Sequence, residues 1–230
     1  MSISWTELAQ ELVSFPTRLT IKVTLACLIL HLLVSLPLAW LLSGPKNWAR
    51  RGLAFLVTAP LVFPPIALGF MLLLLLGSQG PLGAPLESVF GFRLVFSQTG
   101  VILAGYLAGL PLFARPLEAA LRREEIKQLS LAARTLGCGP VKTFLLVTAP
   151  QVGPVLGSGL LLALARACGE VGITMMLGGN IVGRSNTLSL EIFNSVSHGE
   201  FERAMALCLI LAVCGLFFYA ILEKLTPTGS

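Results

Sequence analysis

Charge is scarce in this sequence. Only 12% of the 230 residues are Asp, Glu, Lys or Arg, against about 25% in an ordinary soluble domain. A water-soluble fold of this length would have too little polar surface to cover itself. Histidine is scarcer still: His31 and His198 lie far apart and offer no metal constellation. The five cysteines, Cys27, Cys138, Cys168, Cys208 and Cys214, form no CxxC pair. That argues against a zinc site and against a disulfide framework. Four of them lie in apolar runs and read as small buried hydrophobes. No G-x-x-x-x-G-K-[ST] phosphate loop is present, so the chain is not expected to hydrolyse ATP itself. No Ser, His and Asp stand at a spacing that suggests a triad, and an enzyme is not expected. The N-terminal stretch lacks the basic-then-apolar order of a signal peptide. Its first basic residue is Arg18, and residues 5–13 read as an amphipathic segment.

Apolar residues fill the space that charge leaves. They make up 55% of the chain, and the mean hydropathy is +0.87. The length is that of about one domain. A membrane-spanning helix needs roughly 20 mainly apolar residues. Five stretches meet that need: 19–42, 53–76, 94–113, 155–177 and 204–222. The second contains Pro60, Pro64 and Pro65, so it is expected to bend or to start irregularly. The third carries Pro111 near its end, and the fourth is interrupted by Arg166, Gly169 and Glu170. The fold class expected is all-α, a polytopic membrane helix bundle of about five spans, with membrane lipid around it.

The formal charge of +5 would suggest nucleic acid in a soluble protein. Here the basic residues cluster between the apolar runs, where they set topology, and no nucleic-acid partner is expected. Lys46, Arg50, Arg51, Arg115, Arg122, Arg123, Lys127, Arg134, Lys142 and Lys224 fall on one side of a five-span chain. Arg18, Lys22, Arg93, Arg184 and Arg203 fall on the other. The bias of ten to five predicts an N-terminus outside and a C-terminus in the cytoplasm.

The longest cytoplasmic segment, 114–154, is not featureless. Residues 117–136 are rich in helix formers. Gly137, Gly139 and Pro140 then force a turn, and the apolar stretch 141–147 is expected to end before Pro150. On pattern alone this region is equally a docking surface or an interfacial helix that anchors the bundle. Arg166 and Glu170 are spaced i,i+4 within the fourth apolar stretch, where a charge normally faces protein or water. They read as a polar patch on a translocation path or as an ion pair that fixes packing. Asn180, after Gly178 and Gly179, lines an external mouth or serves as a turn residue. Residues 187–197 suggest a short external helix. Glu191 and Glu200 read as an acidic external face or as plain solvated surface.

Residues 131–150, LAARTLGCGPVKTFLLVTAP, resemble the cytoplasmic signature of bacterial ABC importer permeases. That signature is Glu-Ala-Ala, three residues, Gly, then an aliphatic-x-Leu-Pro ending. Ala132, Ala133, Gly137, Val147 and Pro150 fall at matching places, while Leu131 stands where the family has Glu and Ala149 where it has Leu. Residues 59–83 and 169–193 are similar to blocks of molybdate and tungstate permeases, and sulfate permeases carry closely similar blocks.

The resemblance implies one permease domain over residues 1–230 with a coupling region at 114–154. It implies a multi-pass protein of a bacterial or archaeal cell (inner) membrane. The partners implied are a second copy of the chain, a cytoplasmic ABC ATPase dimer that binds ATP and Mg, and an extracytoplasmic oxyanion-binding protein. No cofactor or metal is expected in this chain. The residues implied in coupling are Ala132, Ala133, Arg134, Gly137, Pro140, Lys142 and Pro150, and those of the path are Arg166, Glu170 and Asn180. For Arg134 and Lys142 a purely topological role has equal weight. A secondary transporter is the rival class, but the sequence shows none of the internal repeats common there.

Overall fold

A computed structural model describes residues 14–45 and 47–225. The amphipathic segment expected at 5–13, and Lys46, lie outside the described residues. The described chain is helical with short connections. Helix α1 spans Phe15–Ser43, α2 Trp48–Val62, α3 Pro65–Leu76, α4 Gly83–Phe90 and α5 Gln98–Leu121. Then come α6 (Glu124–Thr135), α7 (Pro140–Cys168), α8 (Gly172–Gly178), α9 (Leu188–Ser197) and α10 (Phe201–Leu225).

Four helices are long and apolar enough to cross a membrane: α1, α5, α7 and Phe201–Ile221 of α10. The fifth expected crossing is split. Its helix stops at Val62, turns through Phe63 and Pro64, and resumes at Pro65. Pro64 and Pro65 lack the N–H groups that would continue the ladder, so the break falls where the prolines stand. The two pieces still run from one end of the bundle to the other. Arg50 and Arg51 of α2 share a cavity with Arg115 and Arg122 near the end of α5. Leu68, Leu72 and Leu76 of α3 pack with Ala104, Ile173 and Leu177, toward the start of α5.

Helix α5 is the centre of the bundle and packs against α1, α2, α7 and α8. Small residues let α7 come close: a Cβ added at Gly109 would lie 2.6 Å from the Ala163 carbonyl oxygen, and one at Gly105 would lie 3.3 Å from Ala167 Cβ. Membrane helices associate through such close packing because lipid supplies no hydrophobic drive between them. Phe113 and Leu117 of α5 are completely buried with Val152 of α7 and Leu42 of α1. Outward, Ile21, Leu25, Leu33, Phe55, Leu74, Val213 and Leu216 are exposed. In water such an apolar surface would aggregate; in lipid it is the solvated face.

Two long helices contain one π turn each, at His31–Ser35 in α1 and Phe144–Thr148 in α7. Each ends two residues before a proline, Pro37 and Pro150. A proline inside a helix removes one hydrogen bond and collides with the carbonyl four residues back. A widened turn just before it relieves that collision and lets the helix continue.

This corrects two expectations. The stretch after Pro140 does not end before Pro150; it runs on through the π turn as a single 29-residue helix. The fourth span therefore begins well before residue 155. It also stops at Cys168, and residues 172–178 form a separate short helix rather than its continuation.

Candidate functional site

The turn between α6 and α7 is built by backbone hydrogen bonding. Helix α6 opens with Glu124 and Glu125 and closes with Arg134, charges that complement the helix dipole at both ends. Its end is a Schellman motif: Gly137 N–H donates to Arg134 O (3.0 Å) and Cys138 N–H to Ala133 O (3.0 Å). Gly137 takes φ +86°, a left-handed conformation that costs a side-chain-bearing residue energy. Nothing lies within 4 Å of where its Cβ would stand. The glycine is needed for its backbone angle, not for close helix contact. Pro140 then occupies the first position of α7, where its missing N–H costs nothing.

Ala132, Arg134, Gly137, Pro140 and Lys142 are exposed on this one turn, and Ala133 is buried behind it. Pro150 lies ten residues beyond Pro140 within α7, about 15 Å along it. Ser130 of α6 hydrogen-bonds Thr148 in the π turn (3.0 Å), tying the turn to the helix that follows.

At the other end of α7, Arg166 and Glu170 do meet. Arg166 Nη1 lies 2.5 Å from Glu170 Oε2. The two residues do not sit on one continuous helix. Arg166 is in the last turn of α7, where a cation complements the helix dipole. Glu170 is in the break, where its Oε1 accepts from Ile173 N–H (2.7 Å) and so caps the start of α8. The carboxylate is 1% exposed, while the Arg166 side chain is 34% exposed. One partner is sealed in protein and the other reaches the edge of the bundle. The pair is thus a link between two helices.

Asn180 joins neither of them. It takes φ +48° after α8 and pairs its side-chain amide reciprocally with that of Asn194 (2.6 and 3.2 Å). The neighbouring loop is held by Asn186, which accepts from Gly183 N–H and donates to Glu191 Oε2 (2.7 Å). Glu191 also meets Arg203 at 2.8 Å and is 7% exposed. The acidic external face expected from Glu191 and Glu200 is therefore absent as such: Glu191 is buried and ion-paired, and only Glu200 is exposed.

Sequence reasoning missed a buried polar chain across the bundle. His31 Nδ1 lies 3.0 Å from Ser35 Oγ, which donates to Tyr106 Oη (3.0 Å). The His31 ring packs against Tyr106 and Phe113, with centroids 5.0 and 5.4 Å apart. The i,i+4 spacing of His31 and Ser35 was the only local signal. Thr20, four residues before Thr24 on the same helix, accepts from Leu188 N–H and so ties α1 to α9 (2.8 Å).

These features define a helical membrane bundle with an exposed turn at one end and a charged break at the other. Residues 33–228 match the family described as the binding-protein-dependent transport system inner membrane component, and the chain belongs to that family. It is 33% identical over 187 residues to the molybdenum transport system permease protein ModB of Azotobacter vinelandii, covering 81% of this chain and 82% of that one. It is 32% identical over 211 residues to the protein of the same description from Haemophilus influenzae, covering 90% and 92%. A probable sulfate transport system permease protein of Chlorella vulgaris is 29% identical over 199 residues, covering 86% and 74%. Among solved structures, a bacterial ABC transporter that imports the acidic polysaccharide alginate superposes with TM-score 0.62. It covers 98% of this chain and 85% of that one at 15% identity, which is a likeness of fold.

Proposed function

We propose that this chain is the membrane-spanning permease subunit of an ATP-driven importer for a tetrahedral oxyanion, molybdate or tungstate. The observation that carries the reading is the similarity to molybdenum permeases over 81% and 90% of the chain. In this reading two copies pair around a path in the cell (inner) membrane. A cytoplasmic ATPase dimer holds ATP and Mg, and an extracytoplasmic binding protein delivers the anion. The arginine-rich end faces the cytoplasm, where the positive-inside bias would put it. Region 114–154 is the coupling part of a single domain.

The continuity of α7 supports a specific mode of coupling. Ala132, Arg134, Gly137, Pro140 and Lys142 form the surface that the ATPase pushes, and Ala133 packs behind it. Because the push lands on the first turn of α7, it travels along a helix rather than through a loop. Pro140 to Arg166 is about 39 Å of that helix. At its far end Arg166 and Glu170 move with it, and the π turn before Pro150 supplies the place where the helix can flex. Such a packed, hinged element has two discrete arrangements rather than a continuum. Arg166 attracts the passing anion, but Glu170 neutralises it, which suits passage better than storage. Asn180 acts at the external mouth by holding the loop with Asn194.

The test is uptake of radiolabelled anion into proteoliposomes that contain the permease, its ATPase and its binding protein. We expect ATP-dependent accumulation of molybdate, competed by tungstate and not by sulfate. Sulfate uptake that molybdate does not compete would overturn the substrate, and uptake independent of ATP would overturn the class.

A further inference from the structure

At the arginine-rich end, α2 and α5 enclose an open cavity of about 680 Å³. Its lining includes four arginines, Arg50, Arg51, Arg115 and Arg122, and a single acidic residue, Glu118. We propose that this cavity binds a phosphate-class tetrahedral oxyanion group, presented by the headgroup of an anionic phospholipid or by a free ion.

The charge count comes first. Glu118 is 7% exposed and is held by both Arg115 and Arg122, the latter at 3.0 Å. One carboxylate is thus shared between two cations. Among the described residues, neither Arg50 nor Arg51 has a carboxylate partner; Arg50 Nη1 donates only to the Pro45 carbonyl (2.7 Å). The cavity therefore keeps a surplus of positive charge. Arg122 adds a second observation. Its Nη2 donates to Leu42 O (2.6 Å), but its buried Nε has no acceptor. A buried donor left unpaired is costly, and an anion at this wall offers acceptors of the required kind.

The chemistry fits the shape. Guanidinium groups present planar forks of donors that match the oxygens of phosphate-like groups. The volume lies within the roughly 300–1,000 Å³ of small-molecule sites. The location favours a headgroup. Trp48, at the first position of α2, is 90% exposed, and Phe55, one wall of the cavity, is exposed with Leu56 beyond it. Aromatic residues at helix ends mark the membrane–water interface. A lipid with its phosphate on the arginines would lay its chains along this apolar flank. Basic pockets between membrane helices are built for such headgroups.

The test uses the full-length chain in mild detergent, with Arg50→Gln/Arg51→Gln compared against Arg184→Gln, an exposed residue at the opposite end. Native mass spectrometry measures retained phosphatidylglycerol and phosphatidylcholine. In a second arm, inorganic phosphate is added to lipid-free protein and the shift in Tm is read. We expect at least tenfold preference for phosphatidylglycerol in the unaltered chain and in Arg184→Gln, and its loss in the double variant. A Tm rise with phosphate that the double variant abolishes, without phosphatidylglycerol preference, assigns the site to a free ion. Should the double variant not yield monodisperse protein, Arg51→Gln alone carries the comparison. Equal phosphatidylglycerol retention in all proteins, with no arginine-dependent effect of phosphate, overturns the site.

Discussion

Glu170 holds two helices at once: one carboxylate oxygen lies 2.5 Å from Arg166 in the last turn of α7, and the other accepts from Ile173 N–H at the start of α8. The i,i+4 spacing allowed an ion pair that fixes packing; the hydrogen bond to Ile173 that ties in α8 is what spacing alone did not disclose. It also gives the substitutions at these positions different expected costs.

Arg166→Gln leaves a fully buried carboxylate without its cation. Breaking a buried pair in this way costs roughly 3–5 kcal/mol, with the lower end expected because the Arg166 side chain is 34% exposed. Glu170→Gln removes the charge but keeps an acceptor for Ile173 N–H. Glu170→Ala loses that cap as well, about 1 kcal/mol more. Arg166→Gln/Glu170→Gln is expected to recover most of the stability that Arg166→Gln loses. Thermal unfolding in detergent reads the stability order, and uptake into proteoliposomes reads transport. Additive losses would show that the two residues act independently. Normal stability with poor transport in the double variant would assign Arg166 a part in attracting the anion.

Gly137 is expected to be intolerant of side chains for a backbone reason. At φ +86°, an L residue costs about 1–2 kcal/mol whatever its size, and the surrounding space is open. Gly137→Ala and Gly137→Trp are thus expected to loosen the turn by similar amounts, while Gly137→Asn, which tolerates this conformation better, should do less harm. Hydrogen exchange at the Cys138 amide, which closes the turn on Ala133 O, reports the loosening directly. Co-purification with the ATPase and its stimulated hydrolysis report the consequence for docking. A much larger effect of Trp than of Ala on exchange would show that space, not backbone angle, is the constraint.

The readable parts of the fold were those determined by local chemistry. Gly137 and Pro140 announced the turn because few other residues take the left-handed angle of the first or tolerate the lost N–H of the second. Pro64 and Pro65 announced the break in the second crossing for the same reason. The end of α7 was only half readable. Arg166, Gly169 and Glu170 mark an interruption in residues 155–177, but an interrupted apolar run does not distinguish a bent helix from a helix, a break and a second helix. Glu170 decides that break through a hydrogen bond to Ile173, a contact that helix periodicity did not suggest. Likewise Glu191 looked solvent-facing until Arg203 and Asn186 were brought to it by the fold. Its burial is a tertiary fact with no local sign. The same holds for His31 and Tyr106, which are 75 residues apart and joined through Ser35.

The proposed sidedness rests on the placement of charge. With the arginine-rich end in the cytoplasm, Lys142→Cys in a cysteine-free background is expected to resist impermeant thiol reagents in intact cells and to react in inverted vesicles. Val182→Cys, 77% exposed at the opposite end, is expected to show the reverse. Labelling of Lys142→Cys from outside would invert the assignment, and with it the side from which an ATPase can reach the turn.

The last prediction tests what holds the bundle together. Gly109 and Gly153 both sit inside long helices, so a helix-propensity argument alone gives each Ala substitution the same gain of up to about 1 kcal/mol. Packing separates them. At Gly109 the new methyl group would lie 2.6 Å from Ala163 O and 3.0 Å from His31 Nε2. The first is backbone of α7 and cannot rotate away, so α5 and α7 must part. Overpacking of that kind costs roughly 1–3 kcal/mol, which outweighs the propensity gain. At Gly153 nothing lies within 4 Å beyond its chain neighbours, so only the crowding by Pro154 of a Cβ on the residue before it trims the gain. Gly109→Ala is therefore expected to lower Tm and to weaken the buried chain from His31 to Tyr106, whereas Gly153→Ala is expected to leave Tm unchanged or raise it. Gly105→Ala should fall between them, since the nearest atoms there are side chains at 3.3 Å that have some freedom to shift. Thermal unfolding of the three variants in one detergent gives the order. A stable Gly109→Ala would show that the close approach of α5 and α7 is not what fixes the core of this bundle.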